Sequence, residues 1–302
     1  MKTCNRFRVI FVIGVVLALL FAFLPMEHAK TDASDWMANL ADDRSIASLA
    51  IPGTHDSGAL YSIADVAGKC QSLTIAEQLK AGVRFFDIRL QLRGEKLAVV
   101  HSFVDQITDF EDVLDDMVLF LCDHPSEFLI VSIKEDADPR EPKNTFADAV
   151  ESMLAKYPEL INQAQSTPKT VADARGRMHI IARYADAGIG IPAYDGWQDN
   201  SAFVLGTLYI QDYYAIDDTA QKLIEIENAF AAAAEGSYAL TLNYTSGYLT
   251  YGFPPLYAAS AAKTVLPWLD DYLSEYSGSV GVIICDFMTS ALCETIWRCN
   301  FQ

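Results

Sequence analysis

Two histidines stand at points where apolar segments of the sequence end. His55 and Asp56 follow the Pro-Gly pair of the stretch IPGTHDSG, and His101 lies near the end of the run KLAVVHS. Because an imidazole titrates near neutral pH, one such group can accept a proton while the other donates one. The pair suits displacement at phosphorus, in which one histidine activates an internal hydroxyl and the other protonates the leaving oxygen. The alternative is that each histidine has a structural role only.

Arg89 bears on whether this chemistry needs a metal ion. Non-bridging phosphate oxygens require positive charge, either from a metal or from fixed cations. In the segment GVRFFDIRLQ, Arg89 offers a planar bidentate donor that binds phosphate unaided, and Asp87 points to the same face of the strand. We therefore expect no metal and no cofactor. The alternative is that Arg89 and Asp87 form only an internal ion pair.

Short runs rich in apolar and β-branched residues recur along the chain and predict buried strands. Apolar residues at three- to four-residue spacing predict helices between several of them, over residues 110–122, 145–157, 217–234 and 256–276. This alternation predicts an α/β fold, a TIM-type (β/α)8 barrel. The segment RGEK between the second and third runs is too short for a helix, so we expect a single-domain barrel that is irregular and incompletely closed. The eight runs cover residues 46–53, 83–91, 96–102, 127–135, 177–184, 206–214, 238–244 and 280–287.

In such a barrel the reacting groups come from the carboxyl ends of the strands. Asp286 follows the last strand, which lies beside the first strand in a closed barrel. A carboxylate there could bind the far nitrogen of His55 and fix its tautomer. Most of the predicted strands end in a candidate acid, base or cation, and these candidates are His55, Arg89, His101, Lys134, Arg183, Asp212 and Asp286.

Composition and the N-terminal segment restrict the class of protein. The 302 residues are 51% hydrophobic, enough for a large core, and the net charge of −18 argues against a nucleic-acid partner. Three basic residues (Lys2, Arg6 and Arg8) precede the uncharged apolar residues 9–24, which is the layout of a secretory signal. We expect residues 1–33 to be a signal peptide or an uncleaved anchor, and residues 34–302 to form the catalytic barrel of a secreted, extracellular protein.

Six cysteines are present, and one of them, Cys4, lies in the predicted signal. The other five have no metal-ligand spacing. Outside the cell Cys293 and Cys299 could form a disulfide, with the remaining thiols buried. Connectivity does not follow from sequence, so the alternative of free cysteines stays open.

Six motifs in one order resemble the bacterial phosphatidylinositol-specific phospholipase C family. They are IPGTHDSG, GVRFFDIRLQ (with a histidine twelve residues after its second arginine), LIVSIKED, DARGRMHIIARY, YIQDYY and VGVIICDF, and they span about residues 49–287. The resemblance implies that His55 is a general base oriented by Asp286, and that His101 is a general acid assisted by Asp56. It places Arg89 where animal relatives hold calcium. The implied inositol contacts are Lys134, Asp136 (or Glu135 instead), Arg183, Asp212 and Tyr214.

The implied reaction converts phosphatidylinositol to diacylglycerol and inositol 1,2-cyclic phosphate, followed by slow hydrolysis of the ring. The resemblance leaves open whether glycosylphosphatidylinositol anchors are also cut. The expected partner is phosphatidylinositol in a membrane, met by a monomeric enzyme. In the loop YTSGYLTYGFPPLY, we expect Leu249, Tyr251 and Phe253 to touch the bilayer interface, because aromatic rings favour that region. The alternative is that they pack on the barrel rim.

Two other functions remain as alternatives. A metal-dependent glycerophosphodiester phosphodiesterase also uses a barrel and two histidines, but would need clustered carboxylate ligands near the second strand, where Arg89 stands. A catalytically inactive module that binds inositol lipids or glycans would not need two histidines, an arginine and Asp286 together. An assay of diacylglycerol release with and without a chelator separates the three functions.

Overall fold

A curled sheet carries the fold in the computed structural model, which describes residues 32–62, 68–250 and 257–302. The strands of the described chain are β1 (Ala50–Thr54), β2 (Phe85–Arg93), β3 (Lys96–His101), β4 (Val104–Asp109), β5 (Leu129–Glu135), β6 (Ile161–Asn162), β7 (Met178–Arg183), β8 (Ile191–Pro192), β9 (Ala202–Leu205), β10 (Leu208–Gln211), β11 (Ala215–Ile216), β12 (Leu240–Tyr244), β13 (Tyr248–Leu249) and β14 (Gly281–Cys285).

Helices connect most of the parallel strands. In the described residues they are α1 (Ile75–Ala81), α2 (Phe110–Asp123), α3 (Phe146–Leu154), α4 (Val171–Ala174), α5 (Thr219–Glu235), α6 (Ala258–Ser274) and α7 (Ser290–Arg298), with short 3-10 turns at Ala33–Asn39, Ile46–Ser48 and Cys299–Phe301. The four helices expected from apolar spacing are therefore present. Helices α1, α4 and α7 were not expected.

The main sheet has the strand order β6-β7-β5-β2-β1-β14-β12-β10-β9. Its seven central strands, β7 to β10 in that order, all pair in parallel. Within the described chain, no strand joins the β6 end of this order to the β9 end. The prediction of an incompletely closed TIM-type barrel is confirmed, and β1 lies between β2 and β14, as expected for a barrel whose first and last strands are neighbours.

The third predicted strand is an exception to the parallel order. Strand β3 runs antiparallel to β2, and β4 runs antiparallel to β3, so the three form a meander that extends beyond the barrel. The connection from Arg93 to Lys96 holds only Gly94, in a left-handed conformation (φ 62°), and Glu95. Two parallel strands need a crossover of a dozen residues or more, so this turn permits only a hairpin. The expectation that this run is a parallel barrel strand is wrong.

Burial of whole strands explains their continuous apolar sequence. Every residue of β1, β12 and β14 is buried, because helices cover one face of the sheet and side chains fill the other. Residues Ala33–Gln302 form one compact unit. The predicted signal or anchor, residues 1–33, lies almost wholly outside the described residues. Among those that are described, no helix is long and apolar enough to cross a membrane.

The five cysteines of the described chain are free thiols. Four of them, Cys70, Cys285, Cys293 and Cys299, are buried, and Cys122 is exposed. The disulfide between Cys293 and Cys299 is therefore not formed. The two residues lie at opposite ends of one helical segment, since Cys293 is in α7 and Cys299 is its C-cap.

Candidate active site

The carboxyl ends of the parallel strands open into a cavity of about 750 Å³. This volume suits a small polar head group. Asp56 is fully buried and lies next to the cavity without lining it. The other nine residues predicted for catalysis or substrate binding all line its wall, and they are His55, Arg89, His101, Asp286, Lys134, Asp136, Arg183, Asp212 and Tyr214.

The first histidine is fixed by the pairing of β1 with β14. Thr54 stands opposite Cys285 in this register, so the next residues, His55 and Asp286, leave the sheet side by side. The backbone N–H of His55 donates to the Cys285 carbonyl at 3.0 Å. The imidazole Nδ1 lies 2.7 Å from Oδ1 of Asp286, which is almost fully buried. The carboxylate thus selects the tautomer with a proton on Nδ1.

Arg89 is hydrogen-bonded to the other nitrogen of the His55 ring. Its Nη2 donates to Nε2 of His55 at 2.8 Å, which requires a lone pair on Nε2. His55 is therefore neutral here, with its proton facing Asp286 and its basic nitrogen facing the cavity. A group that draws Arg89 away frees that nitrogen to act as a base.

Carboxylates surround the Arg89 guanidinium. The distances are 3.0 Å to Asp87, 3.6 Å to Asp136 and 3.9 Å to Asp56. Burial alone would lower the pKa of Arg89, but the attraction of these carboxylates outweighs it and holds the pKa well above its ordinary value. Arg89 is a permanent cation that lines the cavity. The ion pair with Asp87, expected above as an alternative role, is also present and helps to hold the guanidinium in place.

The second histidine reaches the cavity from the opposite direction along the chain. Because β3 is antiparallel, it returns from beyond the barrel and ends at His101 beside β2. Nδ1 of His101 lies 3.1 Å from the Gly68 carbonyl and 3.5 Å from Oδ2 of Asp56. Burial, together with repulsion from Arg89, lowers the pKa of His101 below 6.5.

Asp56 is an unusual carboxylate. It is fully buried, neither side-chain oxygen has a hydrogen-bond partner among the described residues, and its backbone lies in the left-handed region (φ 42°). Burial raises the pKa of Asp56 to about 7, although the positive charge of Arg89 opposes that rise. Asp87, buried beside Arg89, behaves in the opposite way. Burial would raise its pKa too, but Arg89 and Arg183 outweigh that and hold it well below 3.8.

On the β5 side of the cavity, Lys134 and Asp136 form a pair. Nζ of Lys134 donates to Oδ1 of Asp136 at 2.5 Å, and the other carboxylate oxygen accepts from the backbone N–H of Ser102 at 2.7 Å. Burial favours a raised pKa for Asp136, but Arg89 and Lys134 reverse the effect and lower it. Of the two acidic residues in the segment KED, it is Asp136 that approaches Arg89.

Elsewhere on the cavity wall, Trp197 contacts two predicted residues. The Arg183 guanidinium lies 3.5 Å from the centre of the Trp197 ring, a cation–π contact, and the indole Nε1 donates to Asp212 at 3.1 Å. Tyr214, two residues after Asp212, donates its hydroxyl to Asp199 at 2.6 Å. These groups form a wall with ion-pairing, hydrogen-bonding and aromatic character.

Part of the chain matches a known protein family. Residues 52–183 match the family model for the X domain of phosphatidylinositol-specific phospholipase C. This segment of the chain is similar to that X domain and holds His55, Arg89 and His101 of the cavity wall. It is 26% identical over 285 residues to a 1-phosphatidylinositol phosphodiesterase of Staphylococcus aureus, with 84% of this chain and 87% of the relative covered. It is 24% identical over 287 residues to the protein of the same name from Listeria monocytogenes, with 91% and 87% covered.

Solved structures of this family share the fold. A variant of the Staphylococcus aureus phosphatidylinositol-specific phospholipase C aligns with a TM-score of 0.79 at 24% identity, covering 87% of this chain and 98% of that one. The Listeria monocytogenes phosphatidylinositol-specific phospholipase C aligns with a TM-score of 0.72 at 22% identity, covering 89% and 99%. This chain therefore shares the open-barrel fold of those structures.

The rim of the cavity carries exposed aromatic side chains. Phe103 in the β3–β4 turn is 77% exposed, and three tyrosines, Tyr194, Tyr248 and Tyr257, are exposed at the cavity wall. Of the predicted interfacial residues, Leu249 is half-buried beside Tyr248. Tyr251 and Phe253 lie outside the described residues. The prediction that these three touch a bilayer stays a prediction.

Several residues that support the site were not predicted from the sequence. Gln71 is buried and donates from Nε2 to the carbonyls of His55 and Cys285, both at 2.8 Å, which ties β1 to β14 directly behind the His55–Asp286 pair. Tyr244 is buried and its hydroxyl accepts from Arg183 at 3.4 Å. Trp197 lies between β8 and β9, outside the predicted strands and helices. A buried glutamine directly after the GKC segment has no local sequence signature, so only the fold identifies Gln71.

Proposed function

We propose that this protein is a phosphatidylinositol-specific phospholipase C that releases diacylglycerol from phosphatidylinositol. The observation that carries the proposal is the convergence of His55, His101 and Arg89 on one cavity, with Arg89 hydrogen-bonded to His55 at 2.8 Å. The names of the bacterial relatives, 1-phosphatidylinositol phosphodiesterases, support the same activity.

The first step in this proposal is proton removal by His55. The phosphate of the bound lipid attracts Arg89, because a phosphate oxygen is a stronger acceptor than imidazole, and this frees Nε2. Nε2 takes the proton of the inositol 2-hydroxyl, and Asp286, 2.7 Å from Nδ1, stabilises the imidazolium that forms. The hydroxyl oxygen attacks phosphorus.

His101 completes the displacement as the general acid. As the phosphorus–oxygen bond to diacylglycerol breaks, His101 gives its proton to the leaving oxygen. The pKa of His101 is lowered in the empty site by burial and by Arg89, and a bound phosphate monoanion would offset that repulsion. Asp56, at 3.5 Å from Nδ1, stabilises the charged imidazole. The lipid substrate thus favours the protonation state that its own cleavage needs.

Intramolecular attack accounts for much of the proposed rate. A cis vicinal hydroxyl on the inositol ring is already close to phosphorus, which can contribute roughly 7 to 11 kcal/mol. The product is inositol 1,2-cyclic phosphate. In a slower second step, a water molecule opens that ring with the two histidines in exchanged roles.

The inositol ring is expected to occupy the part of the cavity that is lined by polar and aromatic side chains next to Arg89. Its hydroxyls suit the charged and hydrogen-bonding groups there, and its apolar face suits an aromatic ring. Phosphatidylinositol is favoured over lipids without a ring of hydroxyls because these buried groups would otherwise lose partners. The proposed ring contacts are Lys134, Asp136, Arg183, Asp212 and Tyr214.

An assay of diacylglycerol release from phosphatidylinositol vesicles, with and without EDTA, tests the proposal. We expect release that EDTA does not reduce, because Arg89 supplies the positive charge. Release that requires a divalent metal would favour the phosphodiesterase alternative. Absence of release, with retained binding to inositol-lipid vesicles, would favour an inactive binding module.

We propose that the enzyme is secreted and meets its substrate through the rim of the cavity. The apolar N-terminal segment supports secretion, and N-terminal sequencing of the exported protein tests it. Exposed Phe103 and Tyr248 support contact with lipid, since aromatic side chains favour the bilayer interface. Leu249→Ser with Phe253→Ser should weaken vesicle binding and spare hydrolysis of soluble inositol cyclic phosphate. Equal loss of both would point to misfolding.

A further inference from the structure

A buried thiol lies between the two histidine–aspartate pairs of the site. Cys70 is 1% exposed, and its Sγ lies 3.6 Å from Nδ1 of His101. One potential ligand atom from each of Asp56, Cys70 and His101 lies within 4.8 Å of the others. The proposed reaction gives this sulfur no task.

Two of the three ligand–ligand distances in this cluster match the edges of a tetrahedral zinc site, and the third is within 4.8 Å. Zinc–ligand distances of about 2.3 Å to sulfur and 2.0–2.1 Å to nitrogen place those two ligands about 3.6 Å apart, and a nitrogen and an oxygen ligand about 3.4 Å apart. The observed distances are 3.6 Å from Cys70 to His101 and 3.5 Å from His101 to Asp56. The Gly68 carbonyl, 3.1 Å from the same nitrogen, can supply a fourth ligand.

The Asp56 carboxylate independently indicates a missing partner. It is fully buried, yet neither of its oxygens has a hydrogen-bond partner in the described chain. A buried polar group in this state is costly, and a cation would satisfy it. We propose that Asp56, Cys70 and His101 form a binding site for zinc or a similar thiol-preferring divalent cation, and that binding there inhibits the enzyme.

Charge and protonation set the conditions for this site. Arg89 lies 3.9 Å from Asp56 and opposes a second cation, whereas the nearby carboxylates of Asp87 and Asp136 favour it. Burial, with the neighbouring Asp286 and Asp56, raises the pKa of Cys70 well above 9.0, so the thiol must release its proton to solvent when the metal binds.

The inhibitory part of the inference rests on the proposed function. A metal on Nδ1 leaves His101 unable to carry two protons, so it can no longer act as an imidazolium acid. Loss of the acid should block cleavage of the lipid, whose leaving oxygen needs a proton. It should have less effect on a nitrophenyl inositol phosphate, whose leaving group does not.

Cobalt(II) is a direct probe of the site and needs no activity. We expect wild-type protein to bind Co²⁺ with the visible bands of a tetrahedral ion and the near-ultraviolet charge-transfer band of a thiolate ligand. Cys70→Ala and Cys70→Ser should lose the thiolate band, while Cys122→Ala, which removes the exposed thiol, should retain it. A spectrum unchanged by both Cys70 variants, or Co²⁺ bound without a thiolate band, would overturn the proposal.

Inhibition by Zn²⁺ is then measured on diacylglycerol release. We expect the concentration for half inhibition of either Cys70 variant to rise by at least about tenfold over wild type, relative to its own zinc-free rate, with Cys122→Ala unchanged. Mg²⁺ and Ca²⁺ should have no effect. Zinc that binds wild type without inhibiting it would refute the inhibitory role. If the protein does not cleave phosphatidylinositol, the proposed function fails, and the cobalt spectra still decide whether the site exists.

Discussion

The two histidine–aspartate pairs on either side of Arg89 differ in how firmly they are held. In the first pair, His55 lies 2.7 Å from Asp286, and both of its ring nitrogens have partners. In the second pair, His101 lies 3.5 Å from Asp56, whose carboxylate oxygens have no hydrogen-bond partner among the residues that the structure describes. One pair is assembled before substrate arrives, and the other is not.

The backbone explains this difference. Strands β1 and β14 pair in parallel along their length, so the sheet fixes His55 against Asp286. His101 instead ends a hairpin that extends beyond the barrel, and Asp56 sits in a left-handed turn. A base must hold the correct tautomer before it attacks, whereas an acid can gain its proton when an anionic substrate binds. The loose pair therefore suits the acid and the tight pair suits the base.

Removing either imidazole should have the largest effect. We expect His55→Ala and His101→Ala each to lower turnover on phosphatidylinositol by at least about a hundredfold, the usual scale of acid–base catalysis. Both proteins should remain folded, because the two side chains lie at the cavity surface and not in the core. Rates of diacylglycerol release and the far-ultraviolet circular dichroism spectrum check this. A near-normal rate in either variant would remove that histidine from the mechanism.

Replacing the aspartates should separate the two pairs. Asp286→Asn and Asp56→Asn each lose a charged partner of an imidazolium, worth about 1.5–3 kcal/mol, or roughly ten- to a hundredfold in lipid turnover. With a nitrophenyl inositol phosphate, the acid becomes dispensable. Asp56→Asn and His101→Ala should then recover most of the wild-type rate.

Asp286→Asn and His55→Ala serve as the matched controls, because the attacking hydroxyl still needs a base with this substrate. Their deficits should be the same for lipid and nitrophenyl substrates. Recovery of the Asp286 variant, or no recovery of the Asp56 variant, would reverse the assignment of base and acid.

The barrel could be predicted from the sequence because its strands and most of its helices are encoded by short stretches of neighbouring residues. Continuous apolar runs identify the buried strands, and apolar spacing identifies four helices. Helix α1 also carries a local signal, since Thr74 and Glu77 form a capping box and Gly82 ends the helix in a left-handed conformation, but seven residues are too few for a clear apolar period. The antiparallel direction of β3 follows from the short turn at Gly94 and Glu95. Counting apolar runs gives the number of strands and not their directions.

The site was predictable to the extent that strand ends converge. His55, Arg89, Lys134 and Asp286 follow from the rule that parallel strands present their carboxyl ends at one mouth. His101 also reaches the cavity, but by the hairpin and not by that rule. The support from Gln71 and the position of Cys70 arise from tertiary contacts of a loop, and no pattern of residue types predicts them.

The pH dependence of stability gives the smallest expected effect and tests the loose pair without substrate. Burial raises the pKa of Asp56 from 3.8 to about 7. Between these values the unfolded chain has lost this proton while the folded protein keeps it, so Asp56 makes stability fall as pH rises, by at most about 1.4 kcal/mol per pH unit. Urea unfolding of Asp56→Asn and wild type should give a stability difference in favour of the variant that grows from pH 4.5 to 7 and is constant above.

Asp87→Asn is the control with the opposite sign. Arg89 and Arg183 outweigh burial and hold the pKa of Asp87 well below 3.8, so its carboxylate stabilises the fold at every pH above about 4, and that contribution is lost only in stronger acid. The Asp87 variant should therefore be less stable than wild type by a constant amount between pH 5 and 8. If the Asp56 difference were also constant over that range, Asp56 would be ionised throughout, and the buried carboxylate would be as firmly paired as Asp286. The contrast between the two pairs would then be lost.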